Sequence, residues 1–163
     1  MYQFSLVLVS AVITDDMDLV KWLHTYCPRG FVRKGMDLAA SLGKLHIPRW
    51  VAKHHTLAVC SARLMELAAA SGHLDVLNWL YAQPNASYTS CIMARAAANG
   101  HFKVVKWLHD QVKKPSSFDT LCEAIGNGHL QLAEYLLGLG YRSSMCIDLT
   151  ERVIEEQHFR TLE

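Results

Sequence analysis

The chain has 163 residues, 51% of them hydrophobic and 19% charged, with a formal net charge of +1. That balance describes a folded globular protein and excludes a disordered chain, while the near-zero charge excludes a global field that would draw in nucleic acid or an anionic membrane. The five cysteines, Cys27, Cys60, Cys91, Cys122 and Cys146, are widely spaced and contain no C-x-x-C pair, which reads as reduced thiols in an intracellular, cytoplasmic setting.

The first apolar run, "FSLVLVSAVI", has the length of a secretory core region, but no Lys or Arg precedes it and Asp15 and Asp16 follow at once, so no signal peptide is expected. No stretch reaches the ~20 apolar residues that a membrane-spanning helix needs. "LVLVSAVI" is expected to be a first helix, although its β-branched valines form one poorly on propensity alone. Either that helix frays, or the chain is a piece of a longer array.

From there a repeat runs down the chain. Gly72, Gly100 and Gly128 lie 28 residues apart, each followed by a histidine, His73, His101 and His129. Gly43 lies 29 residues before Gly72 and opens "GKLHIPRWVAKH", with Lys44 at the histidine position; Asp15 lies a further 28 back and opens "DDMDLVKWLH". An aromatic column, Trp22, Trp50, Trp79, Trp107 and Tyr135, keeps the same register.

Each copy holds two helical patterns. The first carries the small pairs Ala39-Ala40, Ala68-Ala69, Ala96-Ala97 and Ala124-Ile125, three residues after Met36, Met65, Met93 and Leu121. Alanine is the best helix former and lets two helices approach closely. The second places apolar residues at i, i+3 and i+4, as in Val76-Trp79-Leu80 and Val104-Trp107-Leu108, which is one face of a helix. The glycine between them suits the left-handed conformation that ends the first helix. Ser90, and Ser116 or Ser117, are placed to cap the next first helix, and Pro48 falls near the start of a second one, where its missing N–H costs little.

A unit of 28 residues cannot bury its own apolar face, so neighbours must stack with the tryptophans buried between them. The expectation is one all-α domain, residues 1–163, a helix-turn-helix repeat solenoid. Its units fall approximately at 5–27, 33–54, 62–83, 90–111 and 118–139. "DLTERVIEEQHF" belongs to a degenerate polar C-terminal cap at 144–163.

"MELAAASGHLDVLNWL" and "MARAAANGHFKVVKWL" resemble the ankyrin repeat, which joins a T-P-L-H-x-A-A helix to a G-H-x-x-V-V-x-L-L helix. The resemblance covers residues 8 to 139. Two departures stand out: the period is about five residues shorter than the usual ~33, and Arg63-Leu64, Cys91-Ile92 and Asp119-Thr120 replace T-P. The helix pairs are therefore expected to persist, with the β-hairpin fingers reduced to short loops.

Chemistry-bearing constellations are sparse. The repeating histidines lie one repeat apart along a stack rather than around one ion, and are expected to hydrogen-bond local backbone at the start of each second helix. His54-His55 is expected in a solvated loop. No nucleophile elbow, phosphate-binding glycine loop or H-E-x-x-H is present, so the chain reads as no enzyme, with no cofactor and no metal.

The expected function is a non-catalytic protein-interaction module, a scaffold or adaptor. The resemblance implies a continuous concave surface made by the loops and the exposed positions of the first helices. On matching positions these are Lys34, Asp37, Leu38, Arg63, Glu66, Leu67, Ala70, Ala94, Arg95, Ala98, Asp119, Cys122 and Glu123. The implied partner is another protein, with no membrane and no small-molecule substrate. The alternatives are a nucleic-acid-binding module using Lys103, Lys106, Lys113 and Lys114, or the binding fragment of a larger adaptor.

Overall fold

The computed structural model describes residues 2–26, 28–54, 61–84, 86–112 and 119–141. Among these residues there are ten helices and no strand: α1 (Tyr2–Ile13), α2 (Met17–Tyr26), α3 (Pro28–Ser41), α4 (His46–His54), α5 (Ala62–Ala70), α6 (Leu74–Tyr81), α7 (Ile92–Ala98), α8 (Phe102–Val112), α9 (Asp119–Gly126) and α10 (Leu130–Gly138). Odd-numbered helices are the first of each pair and even-numbered ones the second, so the all-α helical repeat stands as the periodicity predicts. The chain divides into two compact units, Met1–Thr89 with α1 to α6 and Ser90–Glu163 with α7 to α10. The expected C-terminal cap lies outside the described residues, as do Ser116 and Ser117.

Every first helix stops by one device. Gly43, Gly72, Gly100 and Gly128 take φ of 70°, 79°, 71° and 78°, and Asp15 takes the same place at 63°. The following amide reaches back to the first residue of the small pair: Asp16 to Ala11, Lys44 to Ala39, His73 to Ala68, His101 to Ala96 and His129 to Ala124, at 2.8–3.1 Å. This is the six-to-one bond of the Schellman motif, which satisfies a carbonyl that the helix itself leaves open. Asp tolerates the left-handed region better than most side chains, which is why repeat one manages without glycine.

The small pairs are the centre of each unit. Ala11, Val12, Ala39, Ala40, Ala68 and Ala69 have no exposed surface, nor do Ala96, Ala97 and Ala124. Leu8, Met36, Met65, Met93 and Leu121, three residues earlier on the same helical face, are also buried. In the first unit α3 packs on both α1 and α5; in the second α7 packs on α9. Burial of Leu8, Ala11 and Val12, in a helix that packs on α2 and α3, outweighs the poor intrinsic propensity of α1, which is helical to Ile13.

The second helices bury a different stripe from the one expected. Val76, Leu77 and Leu80 are buried in α6, Val104, Val105 and Leu108 in α8, and Leu132, Ala133 and Leu136 in α10. The aromatic column runs along the edge: Trp50, Trp79, Trp107 and Tyr135 are half-buried, and Trp22 is 54% exposed. Helical geometry supplies the reason. At roughly 100° per residue, positions i, i+1 and i+4 share one arc, and i+3 falls on its flank.

Two cap expectations are also resolved. Pro48 lies in the first turn of α4, where no helical N–H is lost. Ser90 does not cap α7, because the chain is already helical at Cys91, with φ −83° and ψ −6°, and no side chain bonds the first amides. Ser61, by contrast, is extended and accepts from the Leu64 amide to cap α5. In the second unit Tyr141 is buried, with its hydroxyl 2.9 Å from His109 Nδ1 and 3.7 Å from Met93 Sδ. Burial, with a smaller effect from Tyr135, pushes its phenol above the usual value.

Candidate protein-binding surface

A first helix whose Met and Ala-Ala face is buried must turn its remaining positions outward. In the first unit these are Lys34 and Arg63, both exposed, and Asp37, Leu38, Glu66, Leu67 and Ala70, all half-buried. Two of them pair with each other: Arg63 Nε donates to Asp37 Oδ2 across 2.9 Å, joining α5 to α3. A third accepts from the loop after α6, the Thr89 hydroxyl donating to Glu66 Oε1. Arg63, Asp37 and Glu66, expected as exposed positions of the first helices, are thus each hydrogen-bonded to a neighbour.

In the second unit Arg95 and Glu123 are exposed and Ala98 and Cys122 half-buried. Asn99 and Asn127, each four residues on, donate side-chain N–H to the Arg95 and Glu123 carbonyls at 2.9 and 2.8 Å, closing the last turns of α7 and α9. Ala94 is only 7% exposed and offers little surface. Asp119 begins α9, but its side chain lies outside what is described. Cys122 is disulfide-bonded, which corrects the expectation of five reduced thiols, and Cys91 is an exposed free thiol. Cys27, Cys60 and Cys146 lie outside the described residues.

One residue on this side escaped the sequence pattern. Tyr88 is 43% exposed in the loop that follows α6, beside Thr89, with its ring 6.5 Å from that of Tyr81. The only available signal was a single aromatic inside the polar run "QPNASYTS".

The histidines have a structural role, though not a local one. His73 and His129 stand at the N-cap of α6 and α10 without a side-chain bond to that helix. Instead His73 Nε2 donates to the Ser41 carbonyl at 3.0 Å, and His129 Nε2 to the Ala98 carbonyl at 3.1 Å. Each ring therefore ties the end of the preceding repeat's first helix, which corrects the expected local bond. His54 ends α4 rather than sitting in a loop, and its Nδ1 lies 2.8 Å from the Trp50 carbonyl; His55 lies outside the described residues. Among the described residues no three His, Cys, Asp or Glu side chains are grouped to hold a metal ion.

Of the basic cluster, Lys103 and Lys106 are exposed on α8 together with Asp110, and Lys113 and Lys114 lie outside the described residues. No described helix is long and apolar enough to cross a membrane.

Helical hairpins closed by a left-handed residue, stacked through paired alanines, define a helical repeat protein of the ankyrin type. The family model for Ankyrin repeats (3 copies) matches residues 64–145, half of the chain, and the chain belongs to that family. No curated protein and no solved structure matches it. Ankyrin repeats are generally protein-protein interaction modules and typically lack enzymatic activity.

Proposed function

We propose that the chain is a non-catalytic scaffold or adaptor that binds a partner protein on the outward positions of the first helices and adjoining loops of each unit. The observation that carries this reading is the close packing behind those positions and the pairing of charges on them. The side chains stand on helices backed by the buried pairs Ala39-Ala40, Ala68-Ala69 and Ala96-Ala97 and by Ala124, and Arg63 and Glu66 are paired further with Asp37 and Thr89. A surface ordered in advance loses little conformational entropy on binding. In the first unit Lys34, Arg63 and Glu66 supply both signs of charge and Tyr88 an aromatic contact; in the second, Arg95 and Glu123 supply both signs. Such a pattern favours a partner with matching alternation and sets specificity more than affinity.

The test is affinity capture from the native cell with the full chain beside a variant carrying Arg63, Glu66, Arg95 and Glu123 all changed to Ala. Matched thermal melts control for folding. Prey lost from the variant supports the first-helix face; prey held equally by both removes it.

A further inference from the structure

The first compact unit carries a second surface, on its second helices. There α4 and α6 border an open groove of about 570 Å³ whose exposed lining is mainly apolar. Trp50 and Trp79 wall it together with Met17, and His46, Arg49 and Lys53 stand around it. Among the described residues no carboxylate lines it. His46 is already paired with Asp15 at 2.6 Å, so the uncompensated charge belongs to Arg49 and Lys53, both exposed and neither in an ion pair with a described carboxylate.

Two half-buried indoles at the same repeat position, beside Arg49, are side chains in which binding energy concentrates at protein interfaces, and Lys53 adds a second cation one helical turn on. We infer that this groove docks an acidic amphipathic segment of a partner protein, with an aliphatic or aromatic side chain between Trp50 and Trp79 and flanking Asp or Glu against Arg49 and Lys53. The apolar lining and the one-sided charge fit that segment on both counts. A nucleic-acid strand would place a phosphate at every step against only two cations, which is a poorer match. This surface is distinct from the first-helix face, and neither depends on the other.

The test uses the full chain, labelled with ¹⁵N, and a fluorescent peptide of about twelve residues alternating Asp-Glu pairs with Leu, a length matched to a helix-in-groove contact. Saturable binding should shift the indole N–H signals of Trp50 and Trp79. An Asn/Gln version of the peptide should bind about tenfold more weakly or worse, as loss of the charge pairs requires. The R49E/K53E variant should lose the acidic peptide and gain a Lys-Leu peptide of the same length, and R49Q/K53Q should weaken the acidic one without that gain. Thermal melts of both variants exclude unfolding. Equal binding of acidic and neutral peptides, shifts confined to other indoles, no saturation, or displacement of the peptide by a single-stranded oligonucleotide would each overturn the proposal.

Discussion

His73 closes a turn in the repeat before its own. Its Nε2 bonds the Ser41 carbonyl, and its ring lies so close over Gly43 that a Cβ there would sit 2.5 Å from Nδ1. His129 repeats the arrangement over Gly100, where the added carbon would lie 2.6 Å from the ring. The Gly-His signature therefore acts across repeats as well as within one. Glycine supplies a left-handed turn and a space, and the next histidine fills that space.

Gly43→Ala should destabilise the chain on two grounds. An L-residue in the left-handed region costs about 1–2 kcal/mol. Displacing the ring adds about 1–3 kcal/mol of overpacking. Removing the ring as well, in G43A/H73A, relieves the second cost, so the double variant should retain more stability than the sum of the single losses by about 0.5–3 kcal/mol. Urea midpoints measure this, and simple additivity would mean that ring and turn do not touch.

In the first repeat the same junction is built from charge. Asp15 stands at the glycine position, and its carboxylate meets Lys44 Nζ at 3.3 Å and His46 Nε2 at 2.6 Å, with Lys44 at the histidine position. Burial pushes the Asp15 carboxyl up, but the hydrogen bonds and charges of Lys44 and His46 outweigh it and hold it below the ordinary value. A carboxyl lowered in the folded state stabilises above its unfolded value, and that contribution is lost as pH falls through the folded one. Asp15→Asn keeps a residue that tolerates the left-handed region and removes the titration. The stability gap between wild type and D15N should be widest near neutral pH and close in acid below the carboxylate range. A gap constant with pH would contradict the pairing.

Leu80→Ala should cost about 2–5 kcal/mol, because that side chain has no exposed surface. Trp79→Ala, one residue earlier, should cost well under the ~3–5 kcal/mol of a fully buried tryptophan, since its ring is only half-buried. Denaturant melts of the two variants side by side order them. A larger loss at Trp79 would return the aromatic column to the core.

How far the sequence shows these features depends on how local their causes are. The left-handed turns, the buried alanine pairs and the five helical hairpins are set within a few residues, and spacing alone exposes them. The width of the apolar stripe is harder to read, because a period of 3.6 marks a face without saying whether Leu77 or Trp79 lies nearer its middle. The partners of His73 and Arg63 lie 32 and 26 residues away, and no local pattern announces them. Ser90 failed as a cap by a single residue of helix boundary, where sequence reading is weakest.

The close approach of first helices gives the last prediction. Ala97 has no exposed surface and lies on α7, which packs on α9 within the second unit. The three carbons that a leucine adds there start from a fully buried Cβ, so they should push the helices apart or distort a neighbour, at about 1–3 kcal/mol. Asn99, two residues on, is exposed and faces the other way, so Asn99→Leu adds apolar bulk without entering the core and loses chiefly the bond to the Arg95 carbonyl. Ala97→Leu should therefore lower the urea midpoint more than Asn99→Leu does. If both variants melted alike, alanine at the doublet would owe its place to helix propensity alone, and the tight stacking on which the outward face depends would lose its support.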